Sequence, residues 1–492
     1  MAFSNAVALF GAAIGFVVYR FIIFPLFVSP LRHIPTAHPT ARLSSLWLLY
    51  LRRGDRQALS LISSAHRKSG DVVLLAPNEV SVASLEGVKK VYIEKGGFAK
   101  TKWFADLFIT FGGGEARNMV SMIGGMSDRL HRARKADVGN VYSKTQMLAS
   151  EQMVVNADRI IRGKMLSAIG DAVRDKNGVL EVYGFNGAVS ADIASGFMWG
   201  EEGSTNFIQD LSSGADYFRN HTTWLKFKPG AREAQTWLES FGLKRCAAAE
   251  EQVQRDEEMG NSGQKAYPVV YGQLRKRGLR GNTLAAETFD HYLAGAEGPR
   301  TNLTYAQWEL SRHSEMQARL RGELSALSFQ DGLPELKVLD ALPLLEAIVT
   351  ETLRVYTPTP GPMFRLTPPE GTTIDGKFIP GNIQISASPA ILHHNPAVFP
   401  DSEKWDPDRW VIKSEKDQTK VDEMRRWFFA FSGGSRTCIG KEFALLAMKL
   451  TLAAIYTQYT TSIVDDEGIE QDDKFLAGPK GEKLVLKFNR LA

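Results

Sequence analysis

From Ala6 to Val28 the chain reads AVALFGAAIGFVVYRFIIFPLFV, apolar throughout except for Arg20. As a helix this run extends about 35 Å, enough to cross the hydrocarbon core of a bilayer. It is read as a membrane anchor, with a cleaved signal peptide or an interfacial helix as the competing readings; the run is long for a signal h-region and no charge precedes it, while Arg20 and Pro25 weigh against a simple span. The next charges are Arg32, Arg42, Arg52 and Arg53. By the positive-inside rule they place the bulk of the protein on the cytosolic side. SPLRHIPTAHP follows, and its prolines predict a stiff, non-helical hinge.

Beyond the hinge the apolar positions recur mostly at three and four, predicting helices that include Leu284 to about Leu327 and Leu336 to Tyr356. Alternation is confined to DVVLLAP near position 71 and to TTIDGKFIPGNIQISASP, where Pro380-Gly381 separates two β-rich runs. Glu250 to Pro268 and Lys413 to Arg426 are polar enough to be read as exposed loops. No Gly/Ser linker, internal repeat or low-complexity block divides the remainder. The expected organisation is an anchor and hinge over 1–34 and a single catalytic domain over 35–492, mainly α with a small β part.

Composition narrows the class. With 44% hydrophobic and 23% charged residues the chain is globular, and a net charge of +4 spread among 55 acidic residues does not suggest nucleic acid as a partner. Its two cysteines, Cys246 and Cys438, carry no disulfide framework, which fits a reducing compartment.

Cys438 lies in FFAFSGGSRTCIG, where Phe431, Gly434, Arg436, Cys438 and Gly440 fill all five fixed positions of F-x-x-G-x-R-x-C-x-G. Chance would produce this match on the order of once in ten thousand chains of this length. A cysteine holds haem iron as thiolate, and the electron density it donates favours O–O cleavage. Gly434 permits a turn that aims amide groups at the sulfur, and the helix predicted behind it, with Phe443, Leu446, Ala447, Leu450 and Ala454 on one stripe, puts its positive end near Cys438. A buried hydrophobic cysteine is the bland alternative, and it leaves the arginine and both glycines unexplained.

With these residues the chain resembles the cytochrome P-450 superfamily of haem-thiolate monooxygenases, from the anchor to the C-terminus. The resemblance implies a cytochrome P-450 fold with haem b between a long distal helix and a proximal cysteine loop, Cys438 being the axial ligand. It also implies a structural E-x-x-R pair. Of the four such matches, Glu351 and Arg354 lie on a mostly apolar helix, and the later WDPDRW supplies Arg409 as the third member. For the haem propionates it implies Arg436, Arg365, His131 and Lys135, with Arg134 able to replace Lys135. The bases near His131 read equally well as a solvated face or a dock for an electron donor.

On the distal helix the family usually carries an acid followed by a hydroxyl. Here Ala294, Gly295, Ala296 and Glu297 are followed by Gly298, so the alcohol is missing. Pro299 cannot donate to the Gly295 carbonyl, which predicts an opened turn there. Two readings stand: proton delivery by Glu297 with water, substrate or Thr301, or a groove reshaped for a bulky substrate. The residues of the family's substrate-facing regions map to 100–126, with Trp103, Phe104, Phe108, Phe111 and several methionines, and to 207–243.

The implied function is NADPH-dependent hydroxylation or epoxidation of a hydrophobic small molecule. An intermediate of fungal secondary metabolism is the substrate the resemblance suggests, with NADPH-cytochrome P-450 reductase as partner at the endoplasmic reticulum membrane. Oxidative rearrangement, ring expansion, desaturation or dehydration is the alternative outcome, and a non-catalytic haem protein a further one.

Overall fold

The computed structural model describes residues 2–53, 58–107, 122–124, 128–225, 228–259, 266–329 and 331–491. Phe108 and Phe111 fall outside them.

A 32-residue helix, Gly281–Arg312, runs through the middle of the molecule and is buried on nearly every face. Its sequence lacks a marked apolar stripe because almost every position meets protein, as expected for a helix in the core of a large domain. Helix Val182–Gly203 packs along one side and helix Lys441–Gln458 along another. The contact with the first is close because Gly295 has no side chain: a Cβ there would lie 3.1 Å from Ala194 Cβ and 3.5 Å from Phe443. The helix stays continuous through Pro299, correcting the expected opening near Gly295. Pro299 does remove one donor, but packing of Gly295 against both neighbours holds the backbone where an isolated helix would kink.

The predicted helix over Leu284 to about Leu327 is divided at His313, after which Ser314–Leu324 runs separately. Leu336 to Tyr356 likewise becomes Leu336–Asp340 and Pro343–Val355, with Pro343 in the first turn. Both polar stretches read as loops contain helix. Glu250 to Met259 is the end of Ala231–Met259, and Glu415–Trp427 is a helix capped by Ser414, whose hydroxyl accepts from Asp417 N–H. Two acidic residues in that first turn favour the helix start, and Val421 and Met424 suffice to fix its inner face.

The β part is small. Val72–Ala76, Glu79–Val82, Gln384–Ser386, Arg365–Leu366 and Ala99–Lys100 form one sheet in that order. Thr372–Ile374 and Lys377–Ile379 make a hairpin turning on Asp375 and Gly376, at φ +47° and +72°, the left-handed pair that a two-residue turn favours. Pro380-Gly381 separates this hairpin from Gln384–Ser386.

At the N-terminus, Leu9–Val28 is an exposed helical run of mean hydropathy 2.0. The expected hinge contains a short 3₁₀ turn, Pro30–His33, and Leu31 and Ile34 are buried against the strands Val72–Ala76 and Glu79–Val82. The exit is therefore seated on the domain.

Candidate functional site

The cysteine loop folds on its own backbone. Cys438 N–H donates to the Phe431 carbonyl at 2.9 Å, and Thr437 Oγ1 donates to the same oxygen at 3.1 Å. Gly434 sits at φ +69°, where a Cβ would lie 2.2 Å from the Tyr92 carbonyl, so both conformation and space require glycine. Gly440 is different: its φ is −82° and a Cβ would meet nothing within 4 Å. Its smallness keeps clear the floor of a cavity of about 340 Å³, which Gly440 lines beside Cys438.

The Cys438 side chain opens into this cavity although it lies deep in the fold. Burial pushes the thiol up, outweighing the downward pull of the Gly440 amide, Lys135 and Lys441. The Gly440 amide at the start of helix Lys441–Gln458 thus favours the thiolate without outweighing burial. A cation facing the sulfur reverses that balance.

Behind the loop lies a buried charge cluster. Arg354 donates to both carboxylate oxygens of Glu351 at 2.8 Å, Arg409 Nε donates to Oε1 at 2.9 Å, and Trp410 Nε1 to Oε2 at 2.8 Å. Arg354 also donates to the carbonyls of His393, Ser402 and Lys404. Every donor is used, which is what makes a fully buried pair tolerable. His393 ties the cluster to the cysteine loop, since its Nε2 accepts Phe429 N–H at 2.8 Å.

That acceptor role requires a neutral ring, and burial, with His394 and Arg354 adding to it, pushes the His393 pKa down to about 3. Between that value and the ordinary one near 6.5 the unfolded chain binds a proton that the folded chain does not, so stability falls as pH falls through this window. Acidification from pH 6.5 to 5 is expected to cost about 2 kcal/mol through this residue. Urea titrations at the two pH values would show the difference shrinking in His393→Gln, and an unchanged pH dependence would count against this account.

A family model described as cytochrome P450 matches residues 250–486, which hold the central helix, the Glu351 cluster and the cysteine loop. Cytochrome P450 monooxygenase orf2 of Aspergillus niger is 23% identical, the alignment covering 96% of this chain and 95% of that protein. Cytochrome P450 monooxygenase tazI of Aspergillus terreus is 24% identical over 94% and 95%. A shorter match, 33% identical over 41% of this chain and 39% of the relative, is to cytochrome P450 monooxygenase hkm5 of Aspergillus hancockii.

The chain belongs to the cytochrome P450 family.

The cavity fits the P450 cofactor. Lys100, His131, Arg365 and Arg436 all line it, and all four are buried. Burial first, and then repulsion from Arg365 and Arg436, pushes the Lys100 pKa down to about 7, with Asp290 opposing. Cations crowded this way call for an anionic occupant, and two propionates supply that charge. Lys100, whose Nζ donates to the Ile123 carbonyl at 2.5 Å, was not singled out from sequence. The available signal was FAKTKWF, which sets Lys100 and Lys102 between apolar residues. Lys135 does not line the cavity: its Nζ donates to the Ser435 carbonyl at 2.8 Å, bracing the cysteine loop. Arg134 is directed to Asp137 and Glu287, each at 3.7 Å, so it does not replace Lys135.

Across from Cys438 the central helix of this P450 presents Ala294, Glu297 and Gly298 to the cavity. Gly298 faces open space, since a Cβ would touch nothing within 4 Å. Thr301, three residues further along, is buried at 4% exposure and does not line the cavity, so of water, substrate and Thr301 as stand-ins for the hydroxyl it is the one set back from the position. Glu297 does not stand alone: Oε1 lies 2.6 Å from His221 Nδ1, and Oε2 lies 3.6 Å from Arg300. His221 comes from helix Leu211–Leu225, inside the region mapped as substrate-facing, and only tertiary packing brings it here. The rest of the wall is largely apolar, including Phe104, Leu225, Met363 and Phe475. Trp103 packs edge-on against Phe104, Phe364 and Phe475 behind it.

Proposed function

We propose that this P450 inserts one atom of dioxygen into a hydrophobic small molecule, by hydroxylation or epoxidation, with NADPH-derived electrons. The observation that carries the reading is the placement of Cys438 and the Ala294–Gly298 wall in one cavity whose remaining lining is largely apolar outside the Lys100, His131, Arg365 and Arg436 cluster. Haem b bound there would supply dioxygen activation. Cys438 would hold the iron, while Arg365, Arg436, His131 and Lys100 would hold the propionates. Gly434 and Gly440 keep the loop tight and the floor clear, and the neutral His393 locks the loop to the Glu351 cluster. Phe104, Leu225, Met363 and Phe475 exclude water and accept an apolar substrate. Glu297 faces the reacting side as an acid able to pass a proton, in a wall without the usual hydroxyl.

NADPH-cytochrome P-450 reductase is the electron source this reading needs, and the family resemblance supports it. The apolar helix Leu9–Val28 supports anchorage, and the family resemblance supports the endoplasmic reticulum membrane with 35–492 as one cytosolic catalytic domain. Resemblance to fungal members supports a secondary-metabolite intermediate as substrate.

Turnover with reductase and isotopically labelled dioxygen tests the reading. One labelled oxygen atom in the product is the expected result, and an oxidised product free of label would favour rearrangement, desaturation or dehydration instead. The open space at Gly298 adds a second measurement. Gly298→Thr should fold normally and raise product formed per NADPH severalfold if a hydroxyl limits proton delivery, whereas Thr301→Val should change it less than about twofold. A large loss in Thr301→Val would restore that residue to the relay.

A further inference from the structure

The His221–Glu297 contact joins two helices that face each other across the cavity rim. On helix Leu211–Leu225, Phe218 and His221 are three residues apart, as are Glu297 and Arg300 on the central helix, so each pair occupies one helical face. The pairs interlock. His221 Nδ1 meets Glu297 Oε1 at 2.6 Å, and the Arg300 guanidinium lies 4.0 Å from the Phe218 ring centre and 3.8 Å from that of Tyr183. Gly187 makes room, because a Cβ there would lie 2.8 Å from Phe218 and 3.0 Å from Arg300 Nε. Arg300 thus compensates one carboxylate oxygen by charge, and His221 makes a direct hydrogen bond to the other. Both His221 and Glu297 also line the cavity, beside the glycine that replaces the hydroxyl.

We propose that His221 positions Glu297 and supplies it with its proton, so that an imidazole–carboxylate pair does here what an acid–alcohol pair would otherwise do. The inference rests on the monooxygenase reading above, in which one substrate C–H, one dioxygen, two electrons and two protons give a hydroxylated product and one water. Electrons come from the reductase. In each proton transfer the Nδ1–H bond of the imidazolium breaks as an O–H bond forms on Glu297. The acid passes that proton into the cavity, and the neutral imidazole takes its next one from water.

The groups around the pair allow this. Tyr217 stacks parallel to His221 at 6.1 Å, Tyr292 lies upstream on the central helix, and Tyr183 faces Arg300 from helix Val182–Gly203. Burial pushes Tyr183 up to about 12 and Tyr217 and Tyr292 well above the ordinary tyrosine value, so none is charged in the working range. Asp192 of helix Val182–Gly203 and Arg245 of helix Ala231–Met259 are the charges that act on Tyr292 from further out. Burial alone would raise Glu297, but His221 and Arg300 overcome it and hold the carboxyl below its ordinary value. Without His221, Arg300 alone opposes burial, so the acid holds its proton more readily.

The test uses the full-length holoenzyme with reductase, in wild type, His221→Gln, His221→Phe and Glu297→Gln. Infrared difference spectra should show no protonated-carboxyl band at neutral pH in wild type, a new band in both His221 variants, and its loss when Glu297→Gln is added. Product per NADPH should fall about tenfold or more in both His221 variants, with peroxide released instead. The wild-type rate should fall with rising pH along a limb that His221→Gln lacks. Should His221→Phe not fold, His221→Gln decides alone, because it keeps a donor but cannot release a proton. Wild-type coupling, pH profile and infrared spectrum in His221→Gln would overturn the proposal. Absence of label in the wild-type product would sink the monooxygenase reading separately, with the infrared bands still reporting on the pair.

Discussion

Cys438→Ser is expected to abolish the strongly red-shifted Soret band of the reduced, carbon monoxide-bound protein and to lower product formation roughly a thousandfold or more, about 4 kcal/mol of barrier. A hydroxyl is a harder and far less acidic group than a thiol, so it neither holds the iron as an anion nor donates comparable electron density. The polypeptide should still fold, because the cysteine side chain faces the cavity and the loop is held by the Phe431 carbonyl, Gly434 and His393. Thermal melting of the variant should therefore stay near that of the haem-free wild type. A red-shifted band that survives the substitution would refute the assignment of Cys438 as ligand.

The second large effect belongs to Glu351→Gln. Arg354 and Arg409 are 0% and 9% exposed at their side chains and share this one carboxylate, so removing its charge strands two cations in a dry interior. Breaking a buried pair in this way costs about 3–5 kcal/mol, enough to lower the melting temperature by on the order of 10 °C. The lost order should reach the cysteine loop through Arg354 and His393, so the variant should also be purified with much less haem. Asp465→Asn is the fitting control: its partner Lys483 is 46% exposed, and the loss should stay below about 1 kcal/mol. Equal effects of the two substitutions on melting and haem content would remove the special role of the Glu351 cluster.

Motifs whose members are close along the chain were legible in the sequence. FFAFSGGSRTCIG carries its own constraints, because the turn at Gly434 and the sulfur belong to one short segment. Glu351 and Arg354 were legible for a related reason: three residues apart on an apolar helix, they have to pair, and a buried pair needs further partners. The trans contacts of Arg354 with the His393, Ser402 and Lys404 carbonyls carry no such mark.

Local composition misled where few contacts decide the state. Glu415–Trp427 looks like a loop by polarity, yet a Ser414 cap and two buried residues make it a helix. Pro299 suggests a break, and close packing of Gly295 on Ala194 and Phe443 overrides it. The family resemblance assigned Lys135 to the cofactor, whereas the helix Asp128–Val138 turns it to Ser435 and leaves the cavity to His131 and Lys100.

The sequence alone determined the proximal half of this protein: the cysteine loop, the turn that presents its sulfur, the ion pair that supports it and the family they belong to. These depend on short-range backbone geometry and on the high cost of unpaired buried charge. Only the tertiary structure decided the distal half. Glu297 acquires His221 from a helix 76 residues away, Thr301 falls off the cavity wall, and Lys100 joins two arginines from distant segments. Which groups share a cavity depends on how helices pack, and that packing leaves no periodic mark on any one of them.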